Sequence, residues 1–228
     1  PAVQRRVVEA LKTAGKRIVF VNFSGAAIAL EPESQNCEAI LQAWYPGQAG
    51  GQAVAEVLFG DYNPAGKLPL TFYRNLAQIP DFEDYNMTGR TYRYMKETPL
   101  FPFGHGLSYT TFKYGKLKMN DDKIAAGQNL NLAIPVTNTG SRDGDEVVQV
   151  YLKKMDDTEG PVKTLRAFKR VRIPAGKTVE VKFSLDDTQL EWWDEQSNTM
   201  RVCPGNYTVM IGGTSCEKSL LSRAFTIR

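Results

Sequence analysis

The hydrophobic pattern of the chain changes at about residue 111, and this change constrains the fold more than any other feature. Before it, apolar residues form runs with little alternation, at 18–21 and 39–45, which is typical of strands covered on both faces. After it, short segments alternate between apolar and polar residues with a period of two. The predicted apolar faces are Val147, Gln149 and Tyr151 in one strand and Val179, Val181 and Phe183 in another. The pattern predicts an α/β part followed by an all-β part.

The first part contains the helices of the predicted α/β layer. Residues 1–14 form an amphipathic pattern that begins with Pro1 and stops at Gly15, and a second short helix follows the glycine-rich turn 46–51 and ends at Gly60. The apolar positions of the two helices are Val3, Val7, Val8 and Leu11, then Ala53, Val54, Val57 and Leu58. Two helices and two strands are too few to close an α/β layer. We therefore expect a domain of which this chain carries only the last part.

Three segments are predicted along the chain. Residues 1–98 form the partial α/β domain, 99–112 a connector, and 113–228 a sandwich of roughly seven strands of the fibronectin type III or immunoglobulin kind. The turns of the sandwich are predicted at 138–140, 174–177 and 204–206. The connector is rich in aromatic residues and glycine, so we expect it to pack against both domains.

Charge and cysteine content exclude several classes of function. The 28 basic and 25 acidic residues are interspersed, without the basic stripe that nucleic-acid binding needs. No apolar run reaches the roughly 20 residues that span a bilayer, so we expect no membrane partner. Cys37, Cys203 and Cys216 are expected to be free thiols, because the last two flank a strand that would hold them about 25 Å apart.

Nucleotide, metal and serine-hydrolase sites have little support in the sequence. Residues 60–68 have the wrong glycine spacing for a P-loop, with Leu68 in place of the magnesium-binding hydroxyl. Ser24 lacks the glycine that precedes the serine of a nucleophile elbow, and the only histidine, His105, lies in the connector. No metal and no cofactor is predicted. The turn 47–51 could cradle an anion or could serve close packing, and both readings stay open.

Carboxylates and tryptophans are the remaining candidates for chemistry. The carboxylates of the first part have no spacing that selects a pair, and we interpret each as solvated surface: Glu31, Glu33, Glu38, Glu56, Asp61, Asp81, Glu83 and Asp84. Trp44 and Tyr45 end a predicted strand and could form a platform for a sugar ring, or pack in the core or between domains. Trp192 and Trp193 could stack on carbohydrate, although one of two adjacent strand residues points into the core.

Several longer motifs identify a known family. They are residues 43–53, 58–69, 92–94 and 101–112, and in the sandwich 136–140, 147–151 and 204–207. Together they strongly resemble family 3 glycoside hydrolases that carry a fibronectin type III-like domain. The resemblance covers nearly the whole chain, and the string Pro-Phe-Gly-His-Gly-Leu-Ser-Tyr-Thr-Thr-Phe at 102–112 is highly specific.

The resemblance implies a retaining β-glycosidase, in which an Asp is the nucleophile and a Glu is the acid and base. It places the Asp on an N-terminal (β/α)₈ barrel and the Glu upstream of the helix that opens this chain. No residue here inherits either role, so we expect no catalytic residue and no hydrolysis by the chain alone. Trp44 and Tyr45 are the substrate-binding candidates that line the cleft. Residues 45–51 and 89–94 look closer to the β-xylosidase branch than to the β-glucosidase branch.

The same resemblance sets the expected partners and location. These are an oligosaccharide substrate bound by the whole enzyme, the missing barrel and sandwich portion, and a periplasmic or secreted location. Without the missing strands we expect Ile18, Phe20 and Ile40 to be uncovered. The chain should then self-associate or hold the missing portion non-covalently. Two alternatives are a free-standing carbohydrate-binding module and a short interaction protein encoded alone.

Overall fold

The first part of the chain is a small α/β unit in a computed structural model, which describes residues 2–228. Its elements are helix α1 (Ala2–Thr13), strand β1 (Val19–Asn22), helix α2 (Glu31–Asn36), strand β2 (Ala39–Gln42) and helix α3 (Gly50–Phe59). The two strands pair in parallel, with Val19 beside Ala39 and Asn22 beside Gln42. The predicted helices and strands are confirmed, although the placement of Pro1 lies outside the described residues. Helix α2, with Pro32 in its first turn, was not predicted.

The surface of this unit differs from the prediction. The two strands are not covered on both faces in this chain, since Val19 is 52% exposed and Phe20 and Ile40 are half-buried. Ile18, which we expected to be uncovered, is buried. Its backbone is held at the start of the strand pair, because its N–H donates to a Glu38 carboxylate oxygen (2.6 Å) and its carbonyl accepts from the Glu38 N–H (2.9 Å).

Residues 60–111 contain little regular structure. Gly60 ends α3 in the left-handed conformation (φ 85°), as the glycine stop predicts. A 3₁₀ helix (Leu76–Gln78) and the short helix α4 (Thr91–Tyr94) follow. Phe72 and Phe101 form an isolated antiparallel bridge, which ties the connector back onto the first part.

The second part is a β-sandwich. Its strands are β3 (Phe112–Tyr114), β4 (Lys118–Met119), β5 (Lys123–Ile124), β6 (Leu130–Asn138), β7 (Gly144–Lys154), β8 (Thr164–Ile173), β9 (Thr178–Leu185), β10 (Trp192–Asp194), β11 (Thr199–Arg201), β12 (Gly205–Gly212) and β13 (Leu221–Ile227), with helix α5 (Asp187–Leu190) before β10. One sheet has the order β5-β13-β12-β7-β8, and in the other β6 pairs with β3 and β4 on one side and with β9 on the other. The hairpin β10–β11 stands apart. The sandwich is confirmed; the prediction of roughly seven strands missed the short edge strands.

The core of the sandwich reverses one predicted strand face. Val181 and Phe183 of β9 lie in the core, as predicted. In β7, however, Val148, Val150 and Leu152 fill the core, whereas Gln149 and Tyr151 point to the opposite face. Both faces of β7 are buried because the connector covers the outer one. Alternation alone could not tell which face meets the second sheet.

The connector contacts both parts, as predicted. The Gly104 N–H donates to the Leu68 carbonyl (2.7 Å), while the Phe103 carbonyl accepts from the Ser215 N–H in the sandwich (2.9 Å). Asn63 adds a second tie: its amide donates to the Asp143 carbonyl (2.9 Å) and its side-chain oxygen accepts from the Tyr109 N–H (2.8 Å). The segment boundaries at 98/99 and 112/113 stay predictions.

Candidate functional site

The carboxyl ends of β1 and β2 lie side by side and carry a polar cluster. Asn22 is buried, and its amide donates to Gln42 Oε1 (2.6 Å) and Ser24 Oγ (2.9 Å). The Gln42 amide donates in turn to the Ser24 carbonyl (3.2 Å). Sequence reasoning missed Asn22 and Gln42 as site residues; the available signal was a polar residue at the end of each apolar strand. Carboxyl ends of parallel strands are where ligands bind in α/β sheets.

Trp44 leaves this edge in an unusual backbone conformation. Its φ is 56°, in the left-handed region that non-glycine residues seldom occupy and that costs of order 1 kcal/mol or more. The indole is half-buried and meets the ring of Phe72 edge-on, with centroids 6.3 Å apart and planes at 67°. The strained turn therefore aims the tryptophan back onto the aromatic packing of residues 72–105.

Tyr45, in contrast, faces solvent. The residue is 80% exposed, and its ring lies against Gly25, where any Cβ would collide with the ring. Ser24 stays engaged locally, because its hydroxyl donates to the Ala26 carbonyl (2.9 Å). The structure thus brings Trp44 and Tyr45 to the same edge as the Asn22, Gln42 and Ser24 cluster. Aromatic rings beside amides and a hydroxyl suit a ligand with apolar faces and many hydroxyl groups.

The histidine takes part in packing and not in this cluster. The His105 ring stacks on Phe101 at 5.3 Å, and Phe101 meets Phe72 edge-on. Burial, with a smaller contribution from the Lys67 charge, lowers the pKa of His105, so the ring is neutral at pH 7. Within residues 2–228 the Ser24 hydroxyl donates to the Ala26 carbonyl and forms no hydrogen bond with His105, so Ser24 has no histidine base.

Two carboxylates of the first part accept hydrogen bonds from the backbone. Backbone N–H groups of Ile18 and of Asn86 hold the pKa values of Glu38 and Asp84 below their ordinary range. Glu33 contradicts its interpretation as solvated surface, since it is only 5% exposed. Its Oε1 accepts from Arg5 Nε (3.1 Å), because α1 packs over α2 and brings the guanidinium to it. Lowered pKa values suit anchoring and not proton donation.

The glycine-rich turn 46–51 is shaped by packing. Gly50 is buried, and a Cβ there would collide with the Pro46 ring. The Gly50 N–H donates to the Gly47 carbonyl (3.0 Å), so it is not available to an anion. Of the two readings left open by the sequence, close packing is the one that the geometry supports.

A buried ion pair joins the two parts of the chain. Lys67 Nζ lies 3.5 Å from Glu146 Oε2 and donates to the Gly106 carbonyl (2.9 Å), and the Tyr114 hydroxyl donates to Glu146 Oε1 (2.9 Å). Burial raises the pKa of Glu146, and Lys67 and Tyr114 oppose that rise. No sequence pattern marks this pair, because its members are 79 positions apart.

The tandem tryptophans divide as a strand predicts. Trp192 is 3% exposed and belongs to the core, whereas Trp193 is 51% exposed. In residues 2–228 the cysteines are free, and there is no group of three or more His, Cys, Asp and Glu that could hold a metal ion. No helix in that range has the length and apolarity needed to cross a membrane.

Each part of the chain matches a known protein family. Residues 1–109 match the glycosyl hydrolase family 3 C-terminal domain, and residues 146–215 match the fibronectin type III-like domain. Together with the parallel strand pair and the sandwich, these matches define the class: a family 3 C-terminal domain joined to a fibronectin type III-like domain. Residues 1–109 are thus a glycosyl hydrolase family 3 C-terminal domain, and residues 146–215 a fibronectin type III-like domain.

Individual relatives agree with this assignment. A xylan 1,4-beta-xylosidase from Xylanibacter ruminicola is 53% identical over 100% of this chain, which spans 26% of the relative. A periplasmic beta-glucosidase from Salmonella typhimurium is 39% identical over 95% of the chain, which spans 30% of that protein. The chain thus has less than a third of the length of these two relatives.

Solved structures show the same fold. A β-glucosidase from Erythrobacter marinus superposes with a TM-score of 0.86 at 38% identity, over 99% of this chain and 30% of its own. The beta-glucosidase from Listeria innocua in complex with isofagomine gives 0.86 at 27% identity, over 100% of this chain and 33% of its own. The predicted fold class, an α/β part followed by a fibronectin type III-like sandwich, is confirmed.

Proposed function

We propose that this chain is the C-terminal part of a retaining β-glycosidase that removes terminal β-linked xylose or glucose from oligosaccharides, with xylose favoured. The 53% identity to a xylan 1,4-beta-xylosidase is the observation that carries the choice of sugar. The enzyme acts in the periplasm or outside the cell, a location supported by the name of the Salmonella relative.

Within that enzyme the chain contributes no catalytic carboxylate. It supplies one wall of the substrate cleft, at the edge formed by the ends of β1 and β2. Trp44, held in a strained turn, and the exposed Tyr45 are the cleft-lining residues. The sandwich braces this wall through the connector and the Lys67–Glu146 pair.

A chimera tests the proposal with a protein that can be active. In the Xylanibacter relative, the matching 26% of the length is replaced by this chain, and hydrolysis of 4-nitrophenyl β-xyloside and β-glucoside is measured. We expect hydrolysis by the chimera, faster on the xyloside, and none by the 228-residue chain alone. Hydrolysis by the isolated chain, or a folded chimera that hydrolyses neither substrate, would contradict the proposal.

Variants of the chimera test the wall. Trp44→Ala or Tyr45→Ala should raise KM about tenfold with less effect on kcat, because a platform binds the substrate and the transition state alike. Phe168→Ala, which also removes an aromatic ring, lies at a 66% exposed position on β8; it is the control and should leave both constants unchanged. Equal effects of the three substitutions would exclude Trp44 and Tyr45 from the cleft.

A further inference from the structure

A cavity of about 750 Å³ opens at one end of the sandwich, away from the edge of β1 and β2. The β7–β8 loop, the hairpin β10–β11 and helix α4 enclose it. Its volume lies within the roughly 300–1,000 Å³ of small-molecule sites. A different set of residues therefore forms a second concave site.

The floor of the cavity is held by a chain of contacts around Trp192. The indole N–H donates to Asp157 Oδ2 (2.6 Å), and the Arg166 guanidinium lies over the indole ring, 5.2 Å from its centroid. Asp157 also accepts from the Gly160 N–H (2.6 Å), which fixes the β7–β8 loop. These contacts preform the shape of the cavity, so binding there would require little ordering.

The rim carries an exposed aromatic face. Trp193 is 51% exposed and stands opposite Met200 in the hairpin register, so the two side chains share one face. Met200 is 43% exposed. A tryptophan with half of its surface open beside a cavity offers a flat apolar platform.

Two buried donors of the cavity lack partners. The Nε atoms of Arg93 and Arg166 are inaccessible to solvent and form no hydrogen bond within residues 2–228. In the same range neither guanidinium forms an ion pair, although Arg166 donates through Nη2 to the Glu191 carbonyl (2.7 Å). A buried donor without an acceptor destabilises the protein, and the two side chains that carry these donors also line the cavity.

The charges of the lining decide the chemistry of the ligand. The lining contains four cations, among them Arg93 and Arg166, and five carboxylates, among them Glu159 and Glu195. Because acids slightly outnumber bases, a phosphate or nucleic acid is disfavoured. Glu159 and Glu195 are exposed, so their acceptor oxygens are open to a ligand. A ligand with many hydroxyl groups can use donors and acceptors alike.

We propose that this cavity binds a short neutral saccharide, with one sugar ring stacked on Trp193 and its hydroxyls hydrogen-bonded to Arg93, Arg166 and Glu195. The site goes beyond the proposed hydrolytic function. It would hold a saccharide at the sandwich, at a distance from the cleft in which hydrolysis takes place. Neither a catalytic residue nor the upstream part of the enzyme is needed for this binding.

Calorimetry on the 228-residue chain tests the site directly, with xylotetraose and cellotetraose as the probes. We expect binding of at least one of them, weakened about tenfold or more by Trp193→Ala, since tryptophan is prominent among the residues that dominate binding energy. Phe168→Ala is the matched exposed aromatic control and should leave the affinity unchanged. Circular dichroism of each variant confirms that it folds.

The remaining outcomes overturn the proposal. If Trp44→Ala weakens binding and Trp193→Ala does not, the saccharide binds at the cleft wall and not in the cavity. A third probe, a glucuronic acid-bearing xylo-oligosaccharide, tests for charge: binding of this probe alone would make the cavity an anion site. Absence of binding at millimolar saccharide would exclude a saccharide there, without any bearing on hydrolysis by the chimera.

Discussion

The substitution Lys67→Met tests the buried ion pair that joins the two parts of the chain. The side chains of Lys67 and Glu146 are 14% and 6% exposed, so the change leaves a carboxylate buried without its cation. The lost cation also removes the hydrogen bond to the Gly106 carbonyl. Breaking such a buried pair costs about 3–5 kcal/mol, and because the Tyr114 hydroxyl bond remains we expect about 3 kcal/mol at pH 7.

The cost should depend on pH with a defined sign. Burial raises the pKa of Glu146 above its ordinary 4.5, so its protonated form stabilises the fold below pH 4.5 and this contribution is lost as the pH rises. Without Lys67 that pKa rises further, and the variant loses more stability between pH 4.5 and neutrality. Lys67 also contributes to the lowered pKa of His105. Without Lys67 the His105 ring binds a proton more readily in the folded state, which stabilises the variant at acid pH and also reduces its deficit there. The deficit should therefore be smallest near pH 4.

Urea unfolding followed by tryptophan fluorescence at pH 4, 5.5 and 7 measures this deficit. The matched control is Lys118→Met, which breaks an exposed pair with Glu180 (3.2 Å) and should cost no more than about 0.5 kcal/mol. A deficit for Lys67→Met below about 1 kcal/mol at pH 7 would refute the argument from burial. A deficit of equal size at all three pH values would refute the assignment to Glu146.

Three further substitutions probe other features. Asn138→Ala removes fully buried donors to the carbonyls of Arg142 and Ile173 (2.7 and 2.9 Å) and should cost about 3 kcal/mol in urea unfolding, while the exposed Asn131→Ala should change little. Gly104→Ala places a side chain at φ 78° and should lower stability by about 1–3 kcal/mol; an unchanged midpoint would contradict the strain argument. Val7→Lys on α1, where Val7 is 55% exposed, should reduce self-association in sedimentation velocity, whereas Gln4→Lys, at an exposed polar position of the same helix, should not.

Much of the local structure could be predicted from sequence. Helix α1, helix α3 with its stop at Gly60, and the alternation of β9 depend on spacings within a few residues, which the chain displays directly. The aromatic content of the connector likewise predicted its contacts with both domains. The edge strands of the sandwich were missed because two or three residues are too short for a period to be recognised.

The candidate site was predicted in part. Trp44 and Tyr45 were selected as a pair at a strand end, and the structure brings them beside Asn22 and Gln42. The polar pair was missed because its meaning depends on the parallel register of two strands. Their role in substrate binding stays a prediction.

By itself, the sequence determined the family resemblance, the order of the two fold types and the local elements. Each of these depends on contiguous motifs or on short repeats of apolar residues along the chain. Only the tertiary structure decided which face of β7 meets the core, why Glu33 is buried and where Lys67 finds its counter-charge. The physical reason is common to all three. Burial and electrostatic pairing depend on the groups that long-range folding brings within a few ångströms, and no spacing along the chain encodes those partners.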